Sequence, residues 1–149
     1  MDKKRQTRTL ARAEREEVAA LSAEIRKEYS PIIIKQPAKT LAMIKQRDPV
    51  KRGTFYIGEV IVCEASVEID GVPGISVLMG DDTGKTLDMA IIDAAINKGV
   101  FTGMETLLTL EEKQQYALKQ KNALYLKTMV NFESMDQEAP DDLSAFKKA

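Results

Sequence analysis

At 149 residues, with 44% apolar and 30% charged residues and a net charge of −1, the chain has the makeup of one globular domain able to bury a core. No apolar run approaches the roughly 20 residues needed to span a bilayer, and the near-neutral balance gives no pull toward nucleic acid or an anionic membrane. Histidine is absent and cysteine occurs once, at Cys63, which excludes a His-based triad and an internal disulfide and argues against a zinc or iron–sulfur site built within the chain.

The opening residues, MDKKRQTRTLARAEREE, carry basic side chains without an apolar stretch, so no signal peptide is expected there. A lone cysteine fits a reducing compartment, and a cytoplasmic location is expected. Residues 7–28 read as one helix, with Val18, Leu21 and Ile25 extending an apolar stripe begun at Leu10 and Ala11. Ser30-Pro31 ends it, because the residue before a proline is pushed out of the α region.

Ile32-Ile33-Ile34 predicts a short strand, Gln36-Pro37-Ala38-Lys39 a turn, and Thr40–Arg47 a second strand. Asp48-Pro49 and Lys51-Arg52-Gly53 make a polar loop. A third strand is expected over Thr54–Ile69, with Ala65, Val67 and Ile69 alternating against Glu64, Ser66 and Glu68. Between Ile57 and Val62 it is apolar on both faces, and Gly58 within it marks a bulge or a close backbone approach. Asp70-Gly71, with Val72-Pro73-Gly74, predicts a hairpin loop of about four or five residues. The fourth strand, Ile75–Met79, places Ile75, Val77 and Met79 on one side.

Leu87, Ala90, Ile91, Ala94 and Ala95 give one apolar face to a helix over Thr83–Lys98, and Gly99 falls at its C′ position. A last helix is expected from Leu110, where Thr109 and Glu112 have capping-box spacing, to Lys127. Its thin apolar edge holds Tyr116, Ala117, Ala123 and Leu124. The sum is an α+β fold: a mainly antiparallel four-stranded sheet with an N-terminal helix and C-terminal helices packed on it. Residues 1–132 read as a single domain and 133–149 as a flexible acidic tail.

Few residues carry chemistry. GDDTGKT, from Gly80 to Thr86, resembles a phosphate loop but has three residues between its glycines where that loop needs four. Asp81 and Asp82 would also repel a polyphosphate. The better reading has Gly80 ending a strand and the two aspartates complementing a helix N-terminus. Glu64 and Glu68 sit two pleats apart, ~13 Å, too far to share an ion; with Glu59 they read as a solvated sheet face. Asp93, beside the apolar helix stripe, is placed to bond a loop backbone or a partner. Phe55 and Tyr56 follow Lys51-Arg52, a pairing that can stack single-stranded nucleic acid but more often packs a core and an edge. Cys63 reads as a small core residue.

With these residues named, the chain resembles the PhnG family, a small component of the bacterial carbon–phosphorus lyase core complex. The matching pattern is FYIGEVIVCEASVEIDGVPGISVLMGDD followed by LDMAIIDAA, with KTLAMIKQRDPVKRG before it and YLKTMVNF after it. The resemblance implies a protein that assembles with H-, I- and J-type subunits to degrade alkylphosphonates. It also implies support for an early transferase step, in which methylphosphonate displaces adenine from ATP to give ribose 1-methylphosphonate 5-triphosphate. The nucleosidase activity would belong to the I-type subunit and radical cleavage of the carbon–phosphorus bond to the J-type one. ATP, zinc and an iron–sulfur cluster would then belong to partner subunits, with no cofactor in this chain. The family supplies no catalytic residue to carry across, so the expectation is an accessory subunit. Its family-motif or partner-interface positions are Phe55, Tyr56, Gly58, Glu59, Gly80, Asp81, Asp82 and Asp93. Self-pairing of the isolated chain stays open, and neither a membrane nor a nucleic acid is expected as partner. The competing reading is a stand-alone nucleotide- or nucleic-acid-binding module.

Overall fold

The computed structural model describes residues 1–48, 50 and 52–130. In chain order these form α1 (Lys3–Arg12), α2 (Arg15–Glu28), β1 (Ile32–Arg47), β2 (Thr54–Ile69), β3 (Val72–Met79), α3 (Thr83–Lys98) and α4 (Met104–Lys127). The tail expected over 133–149 lies outside the described residues, as do Pro49 and Lys51. By contacts the chain divides into two compact units, Met1–Tyr116 and a second beginning at Ala117.

The sheet has three antiparallel strands in the order β1-β2-β3, not the expected four. The two strands expected around Pro37 are one strand of 16 residues. Register slips between Ile33 and Lys35 and between Lys35 and Ala38 leave Gln36 and Pro37 without ladder partners. β1 is an edge strand, and an edge bulge is where a strand tolerates a residue with no N–H. Pro37 therefore interrupts the pairing without ending the strand. A third slip falls at Gly58: Ile44 pairs with Gly58 and Lys45 with Tyr56, so Ile57 is the extra residue on β2.

The β2–β3 hairpin is tighter than expected. Ile69 pairs with Val72, so the loop is Asp70-Gly71 alone. Both residues have positive φ, 46° and 82°, as a two-residue turn with the twist of the flanking strands requires. Pro73 and Gly74 belong to β3. The facing of β3 is also opposite to a simple apolar reading. Gly74, Ser76 and Leu78 turn to the core, while Ile75, Val77 and Met79 are exposed. A glycine and a serine sit inside because α3 comes so close, and the Ser76 hydroxyl donates to the Thr86 carbonyl at 2.6 Å.

α3 is buried on several sides. Ala90, Ile91, Ala94 and Ala95 are joined in the core by Met89 and Ile92. It lies between the sheet, through Ala65, Val67 and Ile69 of β2, and the stripe Val18, Leu21 and Ile25 of α2. Gly99, at φ 79°, closes it as expected. A polar tie holds the helix layers: Ser22 Oγ and Arg26 Nη2 both donate to Asp88 Oδ1, at 2.6 and 3.0 Å.

The single helix expected over 7–28 is two helices, broken at Ala13-Glu14, where both residues take extended ψ values. The Glu17 carboxylate accepts the Glu14 N–H at 3.0 Å and restarts the helix. Lys85 of α3 reaches the break and donates to the carbonyls of Ala11 and Ala13, at 2.8 and 2.6 Å. A buried cation on the last carbonyls of α1 compensates for the turn that the break removes. No sequence pattern within 7–28 announces this, because the compensating group lies more than 70 residues away.

α4 begins six residues before the expected start. Thr109 is inside it and donates its hydroxyl back to the Glu105 carbonyl, so it caps nothing. Leu107 and Leu110 are buried, and the helix is tied by Arg5 to Glu111 and by Lys113 to Glu17. From Ala117 onward its side chains are exposed, including Leu118, Leu124 and Tyr125.

Candidate interaction surface

β1 and β2 are twice as long as β3, and this difference leaves part of the sheet two strands wide. β3 pairs with β2 only from Val62 to Ile69. From Thr54 to Ile61, β2 has β1 as its sole sheet neighbour among the described residues. That makes a two-stranded arm ~26 Å long at the usual rise per residue. A ribbon of two strands has no core of its own.

The arm is apolar nonetheless. Leu41 pairs with Ile61 and Met43 with Glu59, on the strand face that joins the α3 core further along at Ala65 and Val67. Leu41 is 59% exposed, Met43 59% and Ile61 53%. Ile44 turns to the opposite face, and Phe55, Tyr56 and Ile57 are all exposed near the end. The core face of the sheet thus runs on past the helix that should cover it. Patches of this kind on a folded chain mark contact sites.

The expected site residues separate into three places. Phe55, Tyr56, Gly58 and Glu59 are on the arm, and Gly58 has open space around its Cα. Gly80 and Asp81 anchor the arm's base: the Gly80 N–H donates to the Ile61 carbonyl at 3.0 Å, and Asp81 pairs with Lys39 of β1 at 3.3 Å. Asp82 is the N-cap of α3, accepting the Lys85 N–H at 2.9 Å. The loop from Gly80 to Thr86 is spent on structure, with Lys85 turned away onto α1 and the Thr86 hydroxyl on the Asp82 carbonyl.

Asp93 stands apart from both. Pro73 has no N–H, so its backbone and that of Ile75, two residues on, face the free edge of β3. Asp93 Oδ2 accepts the Ile75 N–H at 3.1 Å, and Asn97 Nδ2 donates to the Pro73 carbonyl at 2.8 Å. Lys3 completes the group at 3.1 Å from Asp93 Oδ1. A helix side-chain pair thereby blunts an exposed sheet edge. This role leaves the carboxylate occupied.

Ionisable groups elsewhere are used in the same way. Glu64, expected on a solvated sheet face, pairs with Lys35. The Arg5 guanidinium, hydrogen-bonded to Glu111, holds that carboxyl below its usual range, and the Glu14 N–H together with Lys113 does the same for Glu17. Among the described residues no group of three His, Cys, Asp or Glu could hold a metal ion. A groove of about 200 Å³ is lined by Glu24, Ile25, Lys27, Glu28, Tyr29, Val100 and Thr102, and is small for a ligand site. Among the described residues, no helix is long and apolar enough to cross a membrane. Sequence reasoning missed Leu41, Met43 and Ile44 as surface residues. The signal was present in TLAMIKQR, where apolar residues occupy both faces of a strand.

Fold and surface together define a small α+β protein whose polar groups hold its own elements together and whose long β1–β2 ribbon is one of its exposed apolar surfaces, beside the outer face of β3 with Ile75, Val77 and Met79. The chain belongs to the PhnG family: the model of the phosphonate metabolism protein PhnG matches residues 1–137. The family places the chain in phosphonate metabolism. Among curated proteins none matches it.

Proposed function

We propose that this chain is an accessory subunit, without catalytic residues of its own, of the carbon–phosphorus lyase core complex. In this reading it supports the formation of ribose 1-methylphosphonate 5-triphosphate from ATP and methylphosphonate. The observation that carries it is the β1–β2 arm, which exposes Leu41, Met43 and Ile61 on the core side of the sheet. Each such side chain contributes about 1.5–3 kcal/mol when a partner covers it fully. H-, I- and J-type subunits are the proposed partners, and they would bring ATP, metal and cluster chemistry with them. The cytoplasm is the proposed location. The sequence lacks histidine, and the aspartates and lysine of the Gly80–Thr86 loop are committed to caps and ties, which supports an assembly role.

Co-expression of the chain with tagged H-, I- and J-type subunits tests this reading. The wild type should co-purify at equal stoichiometry, and Leu41→Asp with Ile61→Asp should be lost from the complex while remaining folded alone. Failure of the wild type to co-purify, or turnover of ATP and methylphosphonate by the isolated chain, would refute it.

A further inference from the structure

The arm is not uniform along its length. Its base is aliphatic, and its end is basic. Residues 44–56 hold Lys45, Arg47, Lys51 and Arg52 against Asp48 alone, a formal charge of +3 in a chain whose total is −1. The base cations are already neutralised, Lys35 by Glu64 and Lys39 by Asp81. Lys45, Arg47 and Arg52 have no carboxylate partner among the described residues. Elsewhere Arg5, Arg15, Arg26, Lys98 and Lys113 each have one, while cations of α1 and α4 such as Lys4, Arg8, Lys119 and Lys121 do not among the described residues. A formal charge of +3 within this short stretch gives that end a positive field of its own.

Two classes of partner suit a basic end with aromatic residues: single-stranded nucleic acid and an acidic protein surface. The aliphatic content decides between them. Leu41, Met43, Ile44, Ile57 and Ile61 are all exposed, and the flat faces of bases offer nothing that five aliphatic side chains would need. Met, Arg and aromatic residues around an aliphatic centre are the composition of a protein contact.

We propose that the arm seats in an apolar groove of a partner protein whose outer rim is acidic. Leu41, Met43 and Ile61 fill the groove, and Lys45, Arg47 and Arg52 meet the rim carboxylates. The basic end governs encounter and orientation, and the aliphatic base governs how long the contact lasts. This rests on the accessory-subunit reading and adds the chemistry of the surface that receives the arm.

The test is the rate of assembly of the purified chain with the co-expressed H-, I- and J-type subunits, measured at two salt concentrations. Reversing the charge of the end (Lys45→Glu, Arg47→Glu, Arg52→Glu) should slow association by about 10-fold or more at low salt. The dissociation rate should change little, and the difference should shrink near 1 M salt, where screening acts within about 3 Å. Leu41→Ala with Ile61→Ala should instead speed dissociation. Equal association rates for wild type and the charge-reversed variant would overturn this inference and leave the accessory role standing. No association by the wild type would overturn both. Salt-sensitive binding of a single-stranded oligonucleotide by the free chain, abolished by charge reversal, would assign the basic end to nucleic acid and overturn it too.

Discussion

Gly74 of β3 lies against Ala94 of α3 so closely that a Cβ on the glycine would stand 2.6 Å from the alanine Cβ and 2.3 Å from its backbone nitrogen. The obstacle is helix backbone, which cannot step aside as a flexible side chain would. Gly74→Ala is therefore expected to push α3 off the sheet and destabilise the fold by at least about 1–3 kcal/mol. Urea denaturation measures it. A midpoint unchanged from wild type would show that α3 and β3 have room to spare at this point.

Lys85 holds α1 to α3 through two carbonyls, and a buried carbonyl left without a donor costs about 1–3 kcal/mol. Lys85→Met keeps the length and removes the donors. It should lower stability by about 2–3 kcal/mol and speed amide exchange first in α1 and at the Ala13-Glu14 break. Exchange that rises evenly over the whole chain would argue against a local cap.

Asp93 serves the β3 edge. Asp93→Ala strands the Ile75 N–H and frees Lys3, with an expected cost of about 1–2 kcal/mol. Asp93→Asn keeps an acceptor and should recover more than half of that. If the two variants were equally unstable, the loss would come from the Lys3 ion pair and not from the edge bond.

Glu111 and Glu17 give the fold an acid sensitivity. Both carboxyls are held below their usual range in the folded chain, Glu111 by Arg5 and Glu17 first by the Glu14 N–H and then by Lys113. A lowered folded pKa means stabilisation that is complete above the unfolded value and disappears as pH falls through the folded one. Glu111→Gln should thus be less stable than wild type near pH 7, with the gap closing below about pH 4. A gap that stays constant down to about pH 3 would remove the ionised carboxylate from the explanation.

Much of this architecture could be read from local pattern, and the failures share a cause. Asp70-Gly71, the α3 stripe and Gly99 are local features, and each fell where it was expected. Pro37 misled because a proline breaks a strand only where its missing N–H is needed, and whether a strand lies at an edge is a property of the sheet. The α1–α2 break depends on Lys85, and the glycine of β3 depends on Ala94; both are contacts across the chain. Of the candidate site, Phe55, Tyr56, Gly58 and Glu59 did fall on the arm. The arm itself was hidden, because sequence shows that a segment is apolar without showing that β3 stops short of it.

The most direct measurement is hydrogen exchange across residues 38–61 in the free chain and in the assembly with H-, I- and J-type subunits. With the arm seated in a partner, amides from Thr40 to Ile61 should exchange rapidly in the free chain and become strongly protected on assembly, more than any other segment. Unchanged exchange along the arm in a fully formed complex, with protection confined to other surfaces, would contradict the proposal that this ribbon is the docking element.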